Sequence, residues 1–147
     1  MTTIYLASDH AGYELKEALA PFLRERGFNV EDCGPYTLEL EDDYPDYILP
    51  MAAKVAQNKG SFGIAVGWSG QGEAMVANRQ KGVRAAVYYS NNEDIIKLSR
   101  QHNDANVLSL GAGFLSFDAA RNAVALWLST PFSAEERHIR RINKLDV

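Results

Sequence analysis

Phe62-Gly63-Ile64-Ala65-Val66-Gly67-Trp68-Ser69-Gly70-Gln71-Gly72-Glu73 decides the architecture. The uncharged run 62–66 reads as a buried strand. Glycines end it, and a short helix begins near Glu73. A strand passing through a glycine-rich turn into a helix is the repeating unit of an α/β protein.

The same alternation extends in both directions. Strands are predicted over 3–7, 28–33, 83–88 and 106–110. A helix follows Gly12, with Leu15, Leu19, Phe22 and Leu23 on one face and Gly27 after its end. Pro21 falls inside it, where a kink is expected. Further helices are predicted over 46–59, 93–101, 118–128 and 134–144. Five strands alternating with helices give an α/β fold, a parallel sheet covered by helices on both faces. No linker, repeat or low-complexity stretch divides it, so residues 1–147 read as one domain.

Composition removes several classes of function. The chain has 147 residues, 15 basic and 19 acidic, for a net charge of −4; 46% of residues are hydrophobic. That much apolar material excludes disorder. The acidic balance argues against nucleic acid as a partner. The longest purely apolar run, 123–128, is far short of the roughly 20 residues of a membrane-spanning helix, so no membrane association is expected. No basic leader precedes an apolar stretch at the amino terminus, so no signal peptide is expected. Cys33 is the only cysteine, which excludes an internal disulfide and a cysteine-rich metal site. The expected setting is cytoplasmic. Segment 34–46 carries five acids (Glu39, Glu41, Asp42, Asp43, Asp46) and no base, the pattern of a solvated loop.

In open parallel sheets, ligands bind beyond the carboxyl ends of the strands. Segments 8–12, 67–73 and 110–113 therefore hold the candidate chemistry. Ser8-Asp9-His10-Ala11-Gly12 places an acid and an imidazole after the first strand, where they can hold hydroxyls and move a proton. Ser8 or Asp9 as a plain helix cap is the alternative. The turn 67–72 reads G-x-x-G-x-G; its amides can cradle a phosphate or a developing enolate oxygen, or simply turn the chain. It lacks the Lys-Ser/Thr ending of a nucleotide P-loop, and no G-x-G-x-x-G follows the first strand. Glu73 sits at a helix start, which lowers basicity, while burial would raise it. His102-Asn103-Asp104 ends a helix, with Asn103 suited to a left-handed cap. Arg137 and Arg141, four apart, share a helical face with His138 beside Arg137: a clamp for a dianion, or a solvated basic helix. No H-E-x-x-H and no convergent His/Cys set is present, so neither metal nor cofactor is expected.

Ser8-Asp9-His10-Ala11-Gly12, Asp43-Tyr44-Pro45-Asp46-Tyr47, Ala77-Asn78, Gly82-Val83-Arg84-Ala85, Arg100-Gln101-His102-Asn103-Asp104-Ala105-Asn106-Val107-Leu108 and Arg137-His138 together resemble ribose-5-phosphate isomerase type B. That family also holds galactose- and allose-6-phosphate isomerases. The resemblance spans 4–142. It implies a Rossmann-like three-layer sandwich that assembles as a homodimer or tetramer, with active sites shared between subunits. It implies a small sugar phosphate as substrate, ribose 5-phosphate going to ribulose 5-phosphate through a cis-enediolate.

In that resemblance Asp9 holds the ring oxygen or hydroxyls, and His10, Arg137 and Arg141 bind the phosphate. His102 helps open the ring and Asn103 contacts the sugar. Ser69 acts on the carbonyl side, and amides of Gly70, Gln71 and Gly72 stabilise the enediolate. Tyr44, Gly67 and His138 complete the substrate-binding set. Many members carry a cysteine base where this chain has Gly67; a second branch uses a glutamate, which Glu73 matches. Gly113 stands where an arginine is common, and Trp68 where a small glycine is usual. These two departures keep open a hexose-6-phosphate isomerase, or a protein that binds a sugar phosphate without turning it over.

Overall fold

Each predicted strand forms, and all five run parallel in one sheet of order β2-β1-β3-β5-β4. The strands are β1 (Thr3–Ser8), β2 (Asn29–Asp32), β3 (Phe62–Gly67), β4 (Ala85–Tyr88) and β5 (Val107–Gly111). The helices are α1 (Tyr13–Glu25), α2 (Pro45–Gln57), α3 (Gln71–Ala77), α4 (Glu93–Gln101), α5 (Phe117–Ser129) and α6 (Glu136–Ile142). This is a computed structural model, describing residues 1–90 and 92–147.

Alternation along the strands sorts side chains into two layers of core. Ile4 and Leu6 of β1, Ile64 and Val66 of β3, and Leu108 and Leu110 of β5 pack with α1, α4 and α5, around fully buried Trp127. Tyr5, Ala7, Ala65 and Val107 face α2 and α3 on the other side. Gly63 lies so near Met51 and Val55 of α2 that a Cβ there would overlap Met51 Sδ. The small residues of β3 thus bring α2 and α3 close to the sheet.

Lys16 is wholly buried on α1. Its Nζ donates to Asp32 Oδ2 and to Glu17 Oε1, each at 2.7 Å. Asp32 Oδ1 in turn accepts from the Gly34 amide at 2.8 Å. A charge inside the fold is tolerable only when paired this way. The pairing fastens α1 to the end of β2 and to the start of the loop that leads into α2.

α1 runs from Tyr13 to Glu25 with Pro21 inside it, on the exposed side. Two expectations shift. β4 begins at Ala85 rather than residue 83, because the Arg84 and Ala85 amides are taken by the Asn106 and Asn78 side chains. α6 covers only Glu136–Ile142, with Ala134 in a left-handed conformation before it.

Between β1 and β3 the order of connection reverses: β2 lies on one side of β1 and β3 on the other. A crevice opens beyond the carboxyl ends of strands at such a point. The segments beyond β1 and β3 are 9–12 and 68–70.

Candidate active site

Gly12 starts α1 against β3; a Cβ there would overlap the Val66 carbonyl. Asp9, buried, accepts from the Gly12 amide through Oδ1 at 3.1 Å. This bond closes the turn before α1 rather than capping the helix, whose N-cap Gly12 has no side-chain cap, and the Asp9 charge acts on Glu73.

The glycine turn is pinned to its neighbour strand. The Ser109 hydroxyl of β5 donates to the Gly70 carbonyl at 2.7 Å. Beyond the sheet, the Ala112 amide donates to the Gly67 carbonyl and the Gly113 amide to the Trp68 carbonyl, at 2.8 and 2.9 Å. Gly70 takes φ +80, a left-handed turn into α3 that suits glycine. Ser69 Oγ accepts from the Gln71 amide at 3.3 Å. Tyr44 lies against Gly72, whose Cβ would sit 2.7 Å from the phenol oxygen.

Glu73, on the first turn of α3, is 4% exposed. Its carboxylate fills the space above Gly67: a Cβ at 67 would overlap both carboxylate oxygens and the carbon between them. A side chain at 67 and a carboxylate from 73 therefore exclude each other. Burial pushes the Glu73 carboxyl above the usual carboxylate range; its own backbone amide opposes the shift and the Asp9 charge adds to it.

Asp42 is a residue that sequence reasoning missed. It is one of five acids in a loop expected to be solvated, yet its side chain is only 5% exposed. Its Oδ1 accepts from the His10 backbone amide at 3.1 Å and from His10 Nδ1 at 2.7 Å. Nothing in the local pattern separates Asp42 from Glu41 or Asp43, because the contact spans 32 residues. That hydrogen bond raises the His10 pKa, and the Asp9 and Asp42 charges add to it against some burial. Asp9, His10 and Asp42 are the one group among the described residues with three metal-ligating side chains together. His10 Nδ1 already has a partner there.

A second cluster gathers the remaining predicted residues. His138 is buried on α6 and stacks on His102, the rings 4.3 Å apart and 19° from parallel. Burial lowers its pKa, helped by His102, Arg137 and Arg141 and opposed by Glu135. His102, Asn103, His138 and Arg141 line a cavity of about 190 Å³ with Ile142 and Leu145. Arg137 projects outward and pairs with Glu135 at 3.0 Å. The left-handed residue of the turn is Asp104 (φ +44), not Asn103 as expected. Asp104 is held by Arg84 and, four residues before it, by Arg100. Arg100 also donates to the carbonyls of Ala105 and Thr130.

The two clusters do not meet within one chain. Asp9, His10 and Glu73 follow the carboxyl ends of β1 and β3. His102 ends α4 and precedes β5, at the amino end of the sheet, and the segment leading into α6 is fastened there by the Ser133–Gln101 hydrogen bonds. A five-residue strand separates the two ends, on the order of 15 Å.

The sequence model of the family described as Ribose/Galactose Isomerase matches residues 4–145. The chain is 36% identical over 142 residues to "Ribose-5-phosphate isomerase B" of Mycobacterium leprae, covering 97% of this chain and 86% of that one. The crystal structure of ribose-5-phosphate isomerase B from Mycoplasma genitalium with bound ribulose-5-phosphate superposes with TM-score 0.93 at 39% identity, covering 98% and 93% of the two chains. The ribose 5-phosphate isomerase structure from Thermotoga maritima gives 0.91 at 41% identity, covering 99% and 97%.

Proposed function

The chain belongs to the ribose/galactose isomerase family, and from that premise we propose that it interconverts ribose 5-phosphate and ribulose 5-phosphate with Glu73 as the proton-transferring base. The observation that carries the base assignment is the Glu73 carboxylate, buried beside Asp9 in the space that Gly67 leaves open. A carboxylate in water is a weak base; one removed from water and facing a second acid binds a proton more readily.

Asp9 and His102 act on the ring oxygen to open the furanose. Glu73 takes the C2 proton as electrons move onto the C1 carbonyl oxygen, giving a cis-enediolate. Ser69 and the amides of Gly70, Gln71 and Gly72 hold that oxygen; the proton of the C2 hydroxyl passes to the C1 oxygen, and as the C2 carbonyl forms Glu73 returns its proton to C1. Proton count and charge balance without a metal or a redox partner. His10 binds the phosphate at one side. Arg137 and Arg141 supply bidentate donors at the other, with Asn103 and Tyr44 against the sugar and His138 behind His102.

Within a subunit, Glu73 and His102 lie at opposite ends of the sheet, so the complete set requires two copies. We read the enzyme as a homodimer of one-domain subunits (residues 1–147), each site taking Asp9, His10 and Glu73 from one protomer and His102, Asn103, Arg137 and Arg141 from its partner. The corresponding setting is cytoplasmic. Among the described residues, no helix is long and apolar enough to cross a membrane.

The test is turnover of ribose 5-phosphate by purified protein with chelator present, following ribulose 5-phosphate. Conversion at an enzymatic rate is expected, and Glu73→Gln lowers it by roughly 10²–10⁴-fold. Folded protein that leaves ribose 5-phosphate unchanged but converts allose 6-phosphate would reassign the substrate. A Glu73→Gln variant at full rate would remove Glu73 from the chemistry.

A further inference from the structure

Asp42 is the buried acid that the mechanism does not use. It stands on a surface loop, yet its carboxylate lies beneath His10 with Oδ1 shared between the His10 amide and Nδ1. One oxygen thus fixes both the backbone and the ring of a single residue. Oδ2 is buried and has no hydrogen-bond partner, one of four such side-chain atoms among the described residues. Such an acceptor lowers stability unless its charge is used. The loop is fastened at its start by the Lys16–Asp32–Gly34 connection and by Tyr13 Oη donating to the Tyr36 carbonyl at 3.3 Å. Further on, Tyr44 rests on Gly72.

We propose that Asp42 is a positioning residue that holds His10 as an imidazolium, its Nδ1–H bound inward and its Nε2–H turned to the phosphate of the substrate. The inference rests on the reading of His10 as a phosphate ligand, and it adds what makes His10 fit for that task. A neutral imidazole bonded through Nδ1–H presents a bare Nε2 lone pair, which repels a phosphate oxygen. Only the protonated ring donates on both sides. Charged groups near the ring act in one direction: Asp42 through its hydrogen bond and charge, and Asp9 through its charge.

The sign follows. The folded-state midpoint of His10 lies above the ordinary histidine value, so at any given pH a larger share of the ring is charged than in a free histidine. Phosphate binding weakens as pH rises through that raised midpoint. With the Asp42 charge removed, the midpoint falls back towards the ordinary histidine value, and the protonated share of the ring at a given pH falls with it.

The experiment uses Asp42→Asn, which keeps an acceptor of the same shape, with Asp42→Glu as the charge-retaining companion. The chain has three histidines, so His10 is assigned in NMR titrations by comparison with His10→Asn. Expected for Asp42→Asn is a lower His10 midpoint. Its KM for ribose 5-phosphate should rise at about pH 7.5, recover at lower pH, and come with little change in kcat. Asp42→Glu should regain part of both. An unshifted His10 midpoint in Asp42→Asn overturns the proposal. So does a loss confined to kcat, or an equal KM rise at every pH. The titration needs no substrate and wild-type turnover needs no variant, so failure here and failure of the parent reading are separately visible.

Discussion

Gly67→Ala is the sharpest perturbation the structure offers, because one methyl group tests both the base and the packing. Gly67 closes a buried strand and does not have the positive φ that forbids other residues. Alanine is therefore allowed by the backbone. The nearest conflict is with the Glu73 carboxylate, which the new Cβ would overlap. Two responses exist. If Glu73 swings out, the base leaves its place beside Asp9, and turnover falls by roughly the 10²–10⁴-fold of losing it. If Glu73 stays, overpacking costs about 1–3 kcal/mol. Steady-state turnover and denaturant unfolding on the same sample separate the two responses. The double variant Gly67→Ala/Glu73→Ala relieves the overlap, so it should unfold at or above the Gly67→Ala midpoint while remaining inactive. Gly67→Ala/Glu73→Gln should be no slower than the worse single variant, because both remove one function. Full turnover by Gly67→Ala with unchanged stability would refute the reasoning.

Two further expectations concern protonation and assembly. Because the Glu73 pKa is raised in the folded state, its ionised form is costly at neutral pH: Glu73→Gln should be more stable than wild type near pH 7, the gain shrinking as pH falls through the raised folded midpoint and vanishing below the ordinary glutamate value of about 4.3, as read by urea unfolding across pH. In wild type, kcat/KM should fall as pH drops through the same raised midpoint. Mixing inactive Glu73→Gln with inactive Arg141→Ala under subunit exchange should restore up to about one-quarter of wild-type activity, since half of randomly paired dimers are mixed and each holds one intact site; no recovery despite demonstrated exchange would place both clusters' functions within one subunit.

The sheet was legible because burial imprints itself locally. An uncharged run such as 62–66, or apolar spacing such as Leu15, Leu19 and Leu23, needs no knowledge of distant neighbours. The positions of Asp9, Ser69 and Glu73 follow equally from the rule that sites lie beyond strand ends. What stayed hidden depends on contacts distant in the chain. Asp42 looks like any acid until the loop folds onto His10. Lys16 occupies an apolar face of α1 and is buried only because Asp32 and Glu17 meet it. The left-handed position falls on Asp104, whose carboxylate Arg84 and Arg100 hold, and not on Asn103. Ser109, a lone hydroxyl in an otherwise apolar strand, carried a faint signal that a buried group needed a partner.

The glycines around the site are best understood through what occupies the space they leave. The Glu73 carboxylate lies over Gly67, the Tyr44 phenol over Gly72, and the Trp68 indole over Gly113, where a Cβ would come within 2.6 Å of Cδ2. Each glycine is thus one half of a pair whose other half is a large side chain. The consequence is sharpest at Gly113. Trp68 leans towards Phe114, ring centres 6.3 Å apart, and Phe114 towards Tyr89 at 5.9 Å. A long side chain at 113 would have to displace that indole first. A side chain at 113 and the present placement of the Trp68 indole therefore compete for the same space. The same steric logic ties Gly67 to the placement of the Glu73 carboxylate. Substitutions at the site are coupled in pairs, and a change at either member alone is opposed by its partner.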